Sequence, residues 1–211
     1  MNIIESLNVS FSYNDAAVLS YPDFKCSVEA PLVIMGKSGS GKTTLLHILA
    51  GILRASGGEV SINSIKLNAL SPGQLDQFRG RNIGIVYQRA HFMASLSVLD
   101  NILLSQYFSG QPLKPTKARD IARQLNIEQL LDKKTMQISQ GEQQRVSIAR
   151  ALLPEPKVLL TDEPTSSLDD DSCLSVVHLL KEQSYRVGSA LIIVTHDERV
   201  KKHFSNTIYL R

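Results

Sequence analysis

The sequence predicts an α/β fold, in which helices cover a parallel sheet, an antiparallel β layer lies near the N-terminus and a helical subdomain is inserted. Four continuous apolar runs are typical of strands buried on both faces, and they are residues 32–35, 83–86, 158–160 and 191–194. Residues 7–11 instead alternate between apolar and polar side chains, which is typical of a half-buried strand. Between residues 87 and 154 the pattern is helical, and we find no clear strand there.

The elements follow in a regular order. Residues 7–11 and 24–28 are expected to form two half-buried antiparallel strands, whose alternating apolar residues are Leu7, Val9 and Phe11 in the first and Phe24, Cys26 and Val28 in the second. Helical patterns follow the first and third apolar runs and are closed by Gly51 and Gly188. In the middle, we expect helices at residues 98–107, after Pro115 and at residues 140–153.

Length and composition limit the classes of protein that the sequence can encode. The chain has 211 residues, of which 43% are hydrophobic, and its formal net charge is +3. These values predict one soluble domain, and the small charge gives no reason to expect nucleic acid as a partner. The apolar runs are far shorter than the roughly 20 residues that span a bilayer, so we expect no membrane span. The N-terminus lacks a basic segment followed by an apolar one, so we expect no secretory signal. Two cysteines, Cys26 and Cys173, fit a reduced cytosolic compartment.

A phosphate-binding loop is predicted at residues 36–43, which read Gly-Lys-Ser-Gly-Ser-Gly-Lys-Thr between an apolar strand and a helix. Its glycines allow a tight turn whose N–H groups point inward, and the helix N-terminus adds its positive end. Lys42 would neutralise the β and γ phosphates, and the Thr43 hydroxyl would ligate Mg²⁺. A chance match to this pattern is on the order of one in a hundred for a chain of this length.

An acidic pair, Asp162 and Glu163, follows the apolar run at residues 158–160 after one residue, Thr161. Ligands of open α/β sheets bind at the carboxyl ends of the strands, so this position suits catalysis. Asp162 would hold Mg²⁺ through its water shell, and Glu163 would orient or deprotonate the attacking water. Taken alone, such a pair is more often a charged loop end or a helix cap; the phosphate-binding loop is what favours the catalytic interpretation.

A third motif starts at Ser139, which is followed three residues later by Glu142. This spacing predicts a capping box at the N-terminus of a helix. A capped helix N-terminus can also present N–H groups and a serine hydroxyl to an anion. One chain would then hold two elements that bind polyphosphate.

With these three motifs, the sequence resembles the ATP-binding cassette family, the ATPase subunits of ABC transporters. Residues 36–44 are similar to its Walker A loop, residues 158–163 to its Walker B strand and residues 139–143 to its signature motif. The resemblance covers nearly the whole chain. It implies a P-loop NTPase (RecA-like) core of about residues 1–87 and 154–211, and a helical subdomain of about residues 88–153, within a single domain of residues 1–211.

The same resemblance implies roles for further residues. Gln88 would contact Mg²⁺ and the membrane partner, Asp169 would lie at a dimer interface, and His196 would sense the γ-phosphate. The implied nucleotide-binding residues are Tyr13, Gly36, Ser38, Gly39, Ser40, Gly41, Lys42, Thr43 and Thr44, the catalytic residues are Glu163 and His196, the metal residues are Thr43, Gln88 and Asp162, and the signature residues acting on a second copy are Ser139, Gln140, Gly141 and Glu142.

Two of these assignments have structural alternatives. Tyr13 lies where the family places an aromatic ring that stacks on adenine, but Phe11 or Tyr21 can serve instead. The acidic run at residues 169–171 can be charge at a helix start, and only Asp169 fits the family pattern.

The signature departs from the family's Leu-Ser-Gly-Gly-Gln, because Ile138, Gln140 and Glu142 replace the first, third and fifth residues. Gly141, where the backbone approaches the phosphate, is retained. Glu142 places a negative charge near a polyanion, which is unfavourable unless its side chain turns back to cap the helix. We therefore expect a working site with an altered rate.

The resemblance implies an ATPase with ATP and Mg²⁺ as cofactors, which forms a head-to-tail dimer with a second copy or a homologous ATPase and drives integral membrane permease subunits. It would be cytoplasmic, peripheral on the cytoplasmic face of the membrane. Residues 81–88 and 96–102, with the end at Arg211, resemble the lipoprotein-release, macrolide-export and cell-division subgroup. A cell-division type ATPase that controls cell-wall hydrolysis without transport stays open, and the identity of the membrane partner would decide.

Other classes of nucleotide-binding protein fit the sequence less well. Cassette ATPases of DNA repair need a long coiled coil or a zinc insertion between the motifs, and the sequence has neither. A small-molecule kinase needs an arginine-rich lid and has no signature-like motif such as the one at Ser139.

Overall fold

The computed structural model describes residues 2–13, 17–166 and 168–210. The strands of the described residues are β1 (Ile4–Phe11), β2 (Leu19–Ser20), β3 (Phe24–Cys26), β4 (Leu32–Gly36), β5 (Gly57–Ile62), β6 (Ile65–Lys66), β7 (Ile83–Val86), β8 (Val158–Asp162), β9 (Ala190–Thr195) and β10 (Asn206–Leu210). The α-helices are α1 (Lys42–Leu49), α2 (Pro72–Asn82), α3 (Val98–Phe108), α4 (Pro115–Gln124), α5 (Gln140–Leu152), α6 (Asp170–Arg186) and α7 (Glu198–Lys201).

The parallel sheet has the strand order β10-β4-β9-β8-β7. All four continuous apolar runs of the sequence lie in its strands, so the predicted α/β fold class is confirmed. The strands β4, β9 and β8 are neighbours and run in the same direction. The phosphate-binding loop after β4, residues 196–197 after β9 (here called the His196 loop) and the acidic pair at the end of β8 therefore lie together, at the edge of the sheet formed by the carboxyl ends of the strands. This edge carries the candidate site.

The antiparallel sheet has the order β2-β1-β5-β6, and β3 also pairs with β1. The predicted strands near the N-terminus are therefore confirmed, but Leu7 does not share a buried face with Val9 and Phe11. Asn8 has a positive φ of 51° and the pairing with β5 shifts after Leu7, so a bulge reverses the alternation. Leu7 is exposed, while Ser6 is buried in its place. Val28 lies after the end of β3.

Helices α3, α4 and α5 form the segment that was predicted to be helical. Their buried side chains, among them Ile102, Ile121 and Ile148, share one core with Leu159 and Leu191 of the parallel sheet. The opposite core lies between the other face of the parallel sheet, α1 and the antiparallel sheet. Within the described ranges, no helix is both long and apolar enough to cross a bilayer.

Candidate functional site

The phosphate-binding loop joins the end of β4 to the start of α1. Gly39 and Gly41 have φ angles of 82° and 85°, in the left-handed region that glycine adopts without steric cost. Gly41 precedes α1, and no side chain caps this helix. The first N–H groups of α1 are therefore left without intrahelical partners and face the loop, which suits an anion.

The Lys42 side chain lies across this loop and is almost fully buried. Its Nζ donates to the carbonyl oxygens of Gly36 at 2.8 Å and Lys37 at 3.0 Å. It also lies 3.7 Å from Glu163 Oε1. One buried positive charge thus lies between the turn of the loop and the acidic pair, where a phosphate held by the loop would meet it.

Asp162 has the environment of a metal-binding carboxylate. Its Oδ2 accepts a 3.4 Å hydrogen bond from Thr43 Oγ1, while its Oδ1 is buried without a hydrogen-bond partner in the part of the chain that the structure describes. Burial, and secondarily the neighbouring Glu163, raises the pKa of the Asp162 carboxyl. A hydroxyl and an unpartnered carboxylate oxygen side by side fit Mg²⁺, which binds few protein oxygens and keeps several waters.

Glu163 is held by the last residue of β9 and by the residue that follows it. Thr195 Oγ1 donates to Glu163 Oε2 at 2.9 Å, and His196 Nδ1 lies 2.8 Å from Glu163 Oε1. The φ angle of Glu163 is 46°, which is uncommon for a residue with a side chain. Its carboxylate is 12% exposed, so it is fixed in orientation and still open to the cleft.

The three aromatic candidates for adenine stacking differ in exposure. Tyr13 is 52% exposed, its Oη lies 3.1 Å from Thr44 Oγ1, and its ring packs edge-on against Phe11. Phe11 and Tyr21 are buried. Burial raises the pKa of Tyr21 to about 12, and its hydroxyl donates to the Gly41 carbonyl. These positions favour Tyr13, whose role stays a prediction.

A cleft of about 1390 Å³ opens over the phosphate-binding loop. It exceeds the roughly 300–1,000 Å³ of ordinary ligand pockets, so it has room for a nucleotide. The predicted residues that line it are Tyr13, Gly36, Ser38, Gly39, Ser40, Gly41, Lys42, Thr43, Thr44, Gln88, Glu163 and His196. Lys37, within the predicted loop, also lines it, and the lining residues that the sequence did not indicate as site residues are Leu19, Met35, Glu198, Tyr209 and Leu210.

Tyr209 and Leu210 reach the cleft because β10 pairs with β4 in register, with Leu210 opposite Gly36. The sequence of β10 has no strong periodicity that would have predicted this strand. Gln88, which follows β7, donates through Nε2 to Ser166 Oγ at 2.9 Å. This contact links the start of the helical segment to the turn after Glu163.

The predicted capping box at the start of α5 is confirmed. Glu142 N–H donates to Ser139 Oγ, and Glu142 Oε2 accepts from Ser139 N–H at 2.7 Å and from Ser139 Oγ at 2.9 Å. The Ser139 N–H bond holds the pKa of the Glu142 carboxyl below its usual range. The extra carboxylate thus turns back onto the helix start. Gly141 leaves open space where a Cβ would stand.

Several predicted residues lie away from the cleft. Among the described residues that line it, none comes from residues 139–142, and Asp162 and Asp169 are also absent from its walls. Asp162 lies just behind the cleft, hydrogen-bonded to the lining residue Thr43. Asp169 is the N-cap of α6, where its carboxylate accepts from Ser172 N–H at 2.8 Å. The helix-start interpretation of this acidic residue is therefore correct as local structure, and its role at an interface stays a prediction. Ser167, which opens the segment 167–169 that resembles the family's segment at the dimer interface, lies outside the described residues.

Comparison with known proteins agrees with this arrangement. The sequence profile of the family described as ABC transporter matches residues 19–166. The lipoprotein-releasing system ATP-binding protein LolD of Idiomarina loihiensis is 35% identical over 99% of this chain and 94% of its own length. The bacitracin export ATP-binding protein BceA of Halalkalibacterium halodurans is 34% identical over 100% of this chain and 86% of its own length.

A solved structure has the same fold. It is a dimeric ATP-binding cassette in a post-hydrolysis state bound to ADP and Pi, and it superposes with a TM-score of 0.86 and 30% identity over 99% of this chain and 94% of that one. The family profile covers well over half of the chain, and full-length relatives exceed 30% identity. The chain therefore belongs to the ABC transporter family, as an ATP-binding ATPase subunit.

Proposed function

We propose that this subunit converts ATP binding and hydrolysis into movement of integral membrane permease subunits, through a head-to-tail dimer of two copies. The observation that carries the proposal is the separation of two anion-binding elements. The Lys42 loop lines the cleft, whereas the capped helix start at Ser139 does not. Two copies related by two-fold symmetry can join each loop to the other copy's Ser139 and so complete two sites.

In each site, the phosphates lie on the N–H groups at the start of α1, and Lys42 neutralises their charge. Thr43 and its hydrogen-bond partner Asp162 would hold Mg²⁺, and Gln88 lines the same cleft as Thr43. The metal ion, when bound, neutralises charge on the β and γ phosphate oxygens. Tyr13 offers the exposed ring on which adenine stacks.

Glu163 acts as the general base or the residue that orients water. The Glu163 carboxylate, held by Thr195 and His196, accepts a proton from a water molecule while the oxygen of that water attacks the γ-phosphorus. The bond between the γ-phosphorus and the oxygen that bridges it to the β-phosphate breaks. His196 lines the cleft beside Glu163, and we assign it the contact with the γ-phosphate.

The relatives indicate the type of machine. LolD is named for lipoprotein release and BceA for bacitracin export. We place this chain with export or lipoprotein-release ATPases, peripheral on the cytoplasmic face of the membrane. The core comprises about residues 1–87 and 154–211, and the helical subdomain of about residues 88–153 contacts the permease. Copurification of the native chain from membranes, with identification of the attached membrane protein, tests this assignment and separates it from a cell-division role.

Lys42→Ala is expected to abolish stabilisation by nucleotide. At Mg·ATP a hundredfold above its dissociation constant, binding stabilises the wild-type fold by about 2.7 kcal/mol. Thermal melts with and without Mg·ATP measure this shift. Lys66→Ala, which removes an exposed lysine paired with Glu59, serves as the control and should keep the shift. An equal shift in wild type and Lys42→Ala would contradict the nucleotide assignment.

Asp162→Asn is expected to raise the melting temperature of the free protein and, at the same time, to weaken binding of Mg²⁺. Because the pKa of Asp162 is raised in the folded state, its ionised form destabilises the fold, and stability falls as pH rises from about 4 through the folded pKa. The amide removes this penalty, so the melting temperature at pH 7 without ligand should rise. The same variant should lose the Mg²⁺-dependent part of the ATP-induced shift, measured against EDTA. A lower melting temperature with an intact Mg²⁺ effect would contradict the metal assignment.

A further inference from the structure

A polar network extends from the candidate base to the start of α6. Thr195 is fully buried; its Oγ1 donates to Glu163 Oε2 and accepts from Asp197 N–H at 3.0 Å. The Asp197 side chain is 10% exposed and accepts a 2.9 Å hydrogen bond from the buried hydroxyl of Thr165. The hydrogen bonds of Asp197 to Thr195 and Thr165 hold the His196 loop in place. The carboxylate of Asp197 also binds Arg199.

Arg199 binds Asp197 through two nitrogens. Its Nε lies 2.9 Å from Asp197 Oδ1, and its Nη2 lies 2.8 Å from Asp197 Oδ2. These hydrogen bonds hold the pKa of the Asp197 carboxyl at about 2, so the pair stays ionised at neutral pH. A paired guanidinium and carboxylate of this geometry gives a directional contact that lysine cannot reproduce.

The same guanidinium reaches the segment 168–170. Its Nη1 donates to Asp170 Oδ1 at 2.6 Å and to the Leu168 carbonyl at 3.2 Å, and its Nη2 donates to the same carbonyl at 3.3 Å. Both neighbours of Asp169 are therefore bound to one side chain. The exposed Asp169 lies between these two anchors.

We propose that Arg199 is a positioning residue, which holds the segment 168–170 against the His196 loop and so presents Asp169 to the second copy in the ATP-bound dimer. This inference rests on the proposed head-to-tail dimer. Arg199 is hydrogen-bonded to Asp197, Asp197 to Thr195, and Thr195 to Glu163. The segment 168–170 is therefore connected to the candidate base by a continuous series of hydrogen bonds. Of the described residues, neither Arg199 nor Asp170 lines the nucleotide cleft, so a substitution there leaves the phosphate contacts in place.

The test compares Arg199→Met, Arg199→Lys and Asp170→Asn with Arg186→Met as the control. Arg186 is an exposed arginine whose ion pair is with Glu182 on the same helix. Each substitution is made in the full chain, alone and with Glu163→Gln. ATP affinity of the monomer should change less than about twofold, because the cleft is untouched. Dimerisation of the Glu163→Gln protein with ATP should weaken about tenfold or more in Arg199→Met, the scale expected for charge-assisted hydrogen bonds.

The partial variants keep the test valid if Arg199→Met does not fold. Arg199→Lys should weaken dimerisation by an intermediate factor, since it keeps the charge and loses the double contact. Asp170→Asn keeps an oxygen that can accept from Arg199 but removes the negative charge, so it weakens one anchor and should weaken dimerisation by a few fold. The ATPase rate of the Arg199 variants should recover as protein concentration rises, whereas a damaged active site would stay slow at every concentration.

Four outcomes decide the proposal. A loss of dimerisation that is largest in Arg199→Met, smaller in Arg199→Lys and smallest in Asp170→Asn, with unchanged ATP affinity, supports it. ATP-dependent dimerisation equal to that of Arg186→Met overturns the role of Arg199 and leaves the proposed function standing. A loss of ATP affinity that matches the loss of dimerisation also overturns it, because Arg199 would then act on the cleft. If Glu163→Gln alone stays monomeric with ATP, the proposed function fails and the inference fails with it.

Discussion

Glu163→Gln is expected to bind ATP as wild type does and to hydrolyse it about a hundred to ten thousandfold more slowly, the usual loss for a general base. The amide has the shape of the carboxylate and can still accept the Thr195 hydrogen bond. It cannot take the proton of the attacking water. Lys42, 3.7 Å away, keeps its two carbonyl partners and so remains in the loop. Phosphate release and nucleotide affinity are measured on the same preparation.

Glu198→Gln is the matched control. Glu198 is a second carboxylate that lines the cleft, but it is exposed and pairs with Lys201 rather than with the His196 loop. We expect it to retain most of the wild-type rate. Hydrolysis by Glu163→Gln at the wild-type rate would move the role elsewhere, and His196, whose Nδ1 lies beside the Glu163 carboxylate, would be the next residue to test.

The central strands of the parallel sheet could be predicted from the sequence because they are buried on both faces. β8 is buried at all five positions, and the central strands of a parallel sheet must be apolar on both faces. The edge strand β10 mixes polar and apolar residues and gave no signal. The prediction for Leu7 was wrong because the bulge at Asn8 reverses which side chains of β1 point to the buried face. The residue pattern contains nothing that predicts this bulge.

Some residues of the candidate site could be predicted because they are adjacent in sequence, and others could not because only the fold brings them together. The phosphate-binding loop is local, because eight consecutive residues hold its turn, its lysine and its hydroxyl, and its sequence was sufficient to predict it. The positions of Gln88, Asp169 and His196 came from family resemblance. Thr195 and Arg199 were missed because their partners, Glu163 and Leu168, are about 30 positions away in sequence and meet them only through the order of strands β8 and β9.

Ser139→Arg is expected to prevent ATP-dependent dimerisation while leaving ATP binding by the monomer largely intact. Ser139 is exposed and outside the cleft, so its substitution does not touch the Lys42 loop. The arginine removes the serine cap, adds a positive charge to the positive end of α5 and fills the space where the other copy's phosphate must approach. Losing a cap costs about 1 kcal/mol of stability, which is too little to unfold the domain.

Ser71→Arg is the control for this substitution. Ser71 caps α2 with the same reciprocal bonds, to Gln74, and it is also exposed. The two variants lose equivalent caps, so a difference between them reports the position and not the stability of a helix end. Ser71→Arg is expected to dimerise with ATP as its parent does.

Sedimentation velocity of the Glu163→Gln protein, with and without Mg·ATP, shows whether nucleotide joins two copies through Ser139. We expect a monomer without nucleotide and a dimer with Mg·ATP. With Mg·ATP, adding Ser71→Arg should leave the dimer, and adding Ser139→Arg should give a monomer. A Ser139→Arg protein that still dimerises on ATP, or a Glu163→Gln protein whose sedimentation does not respond to ATP, would contradict the proposed dimer.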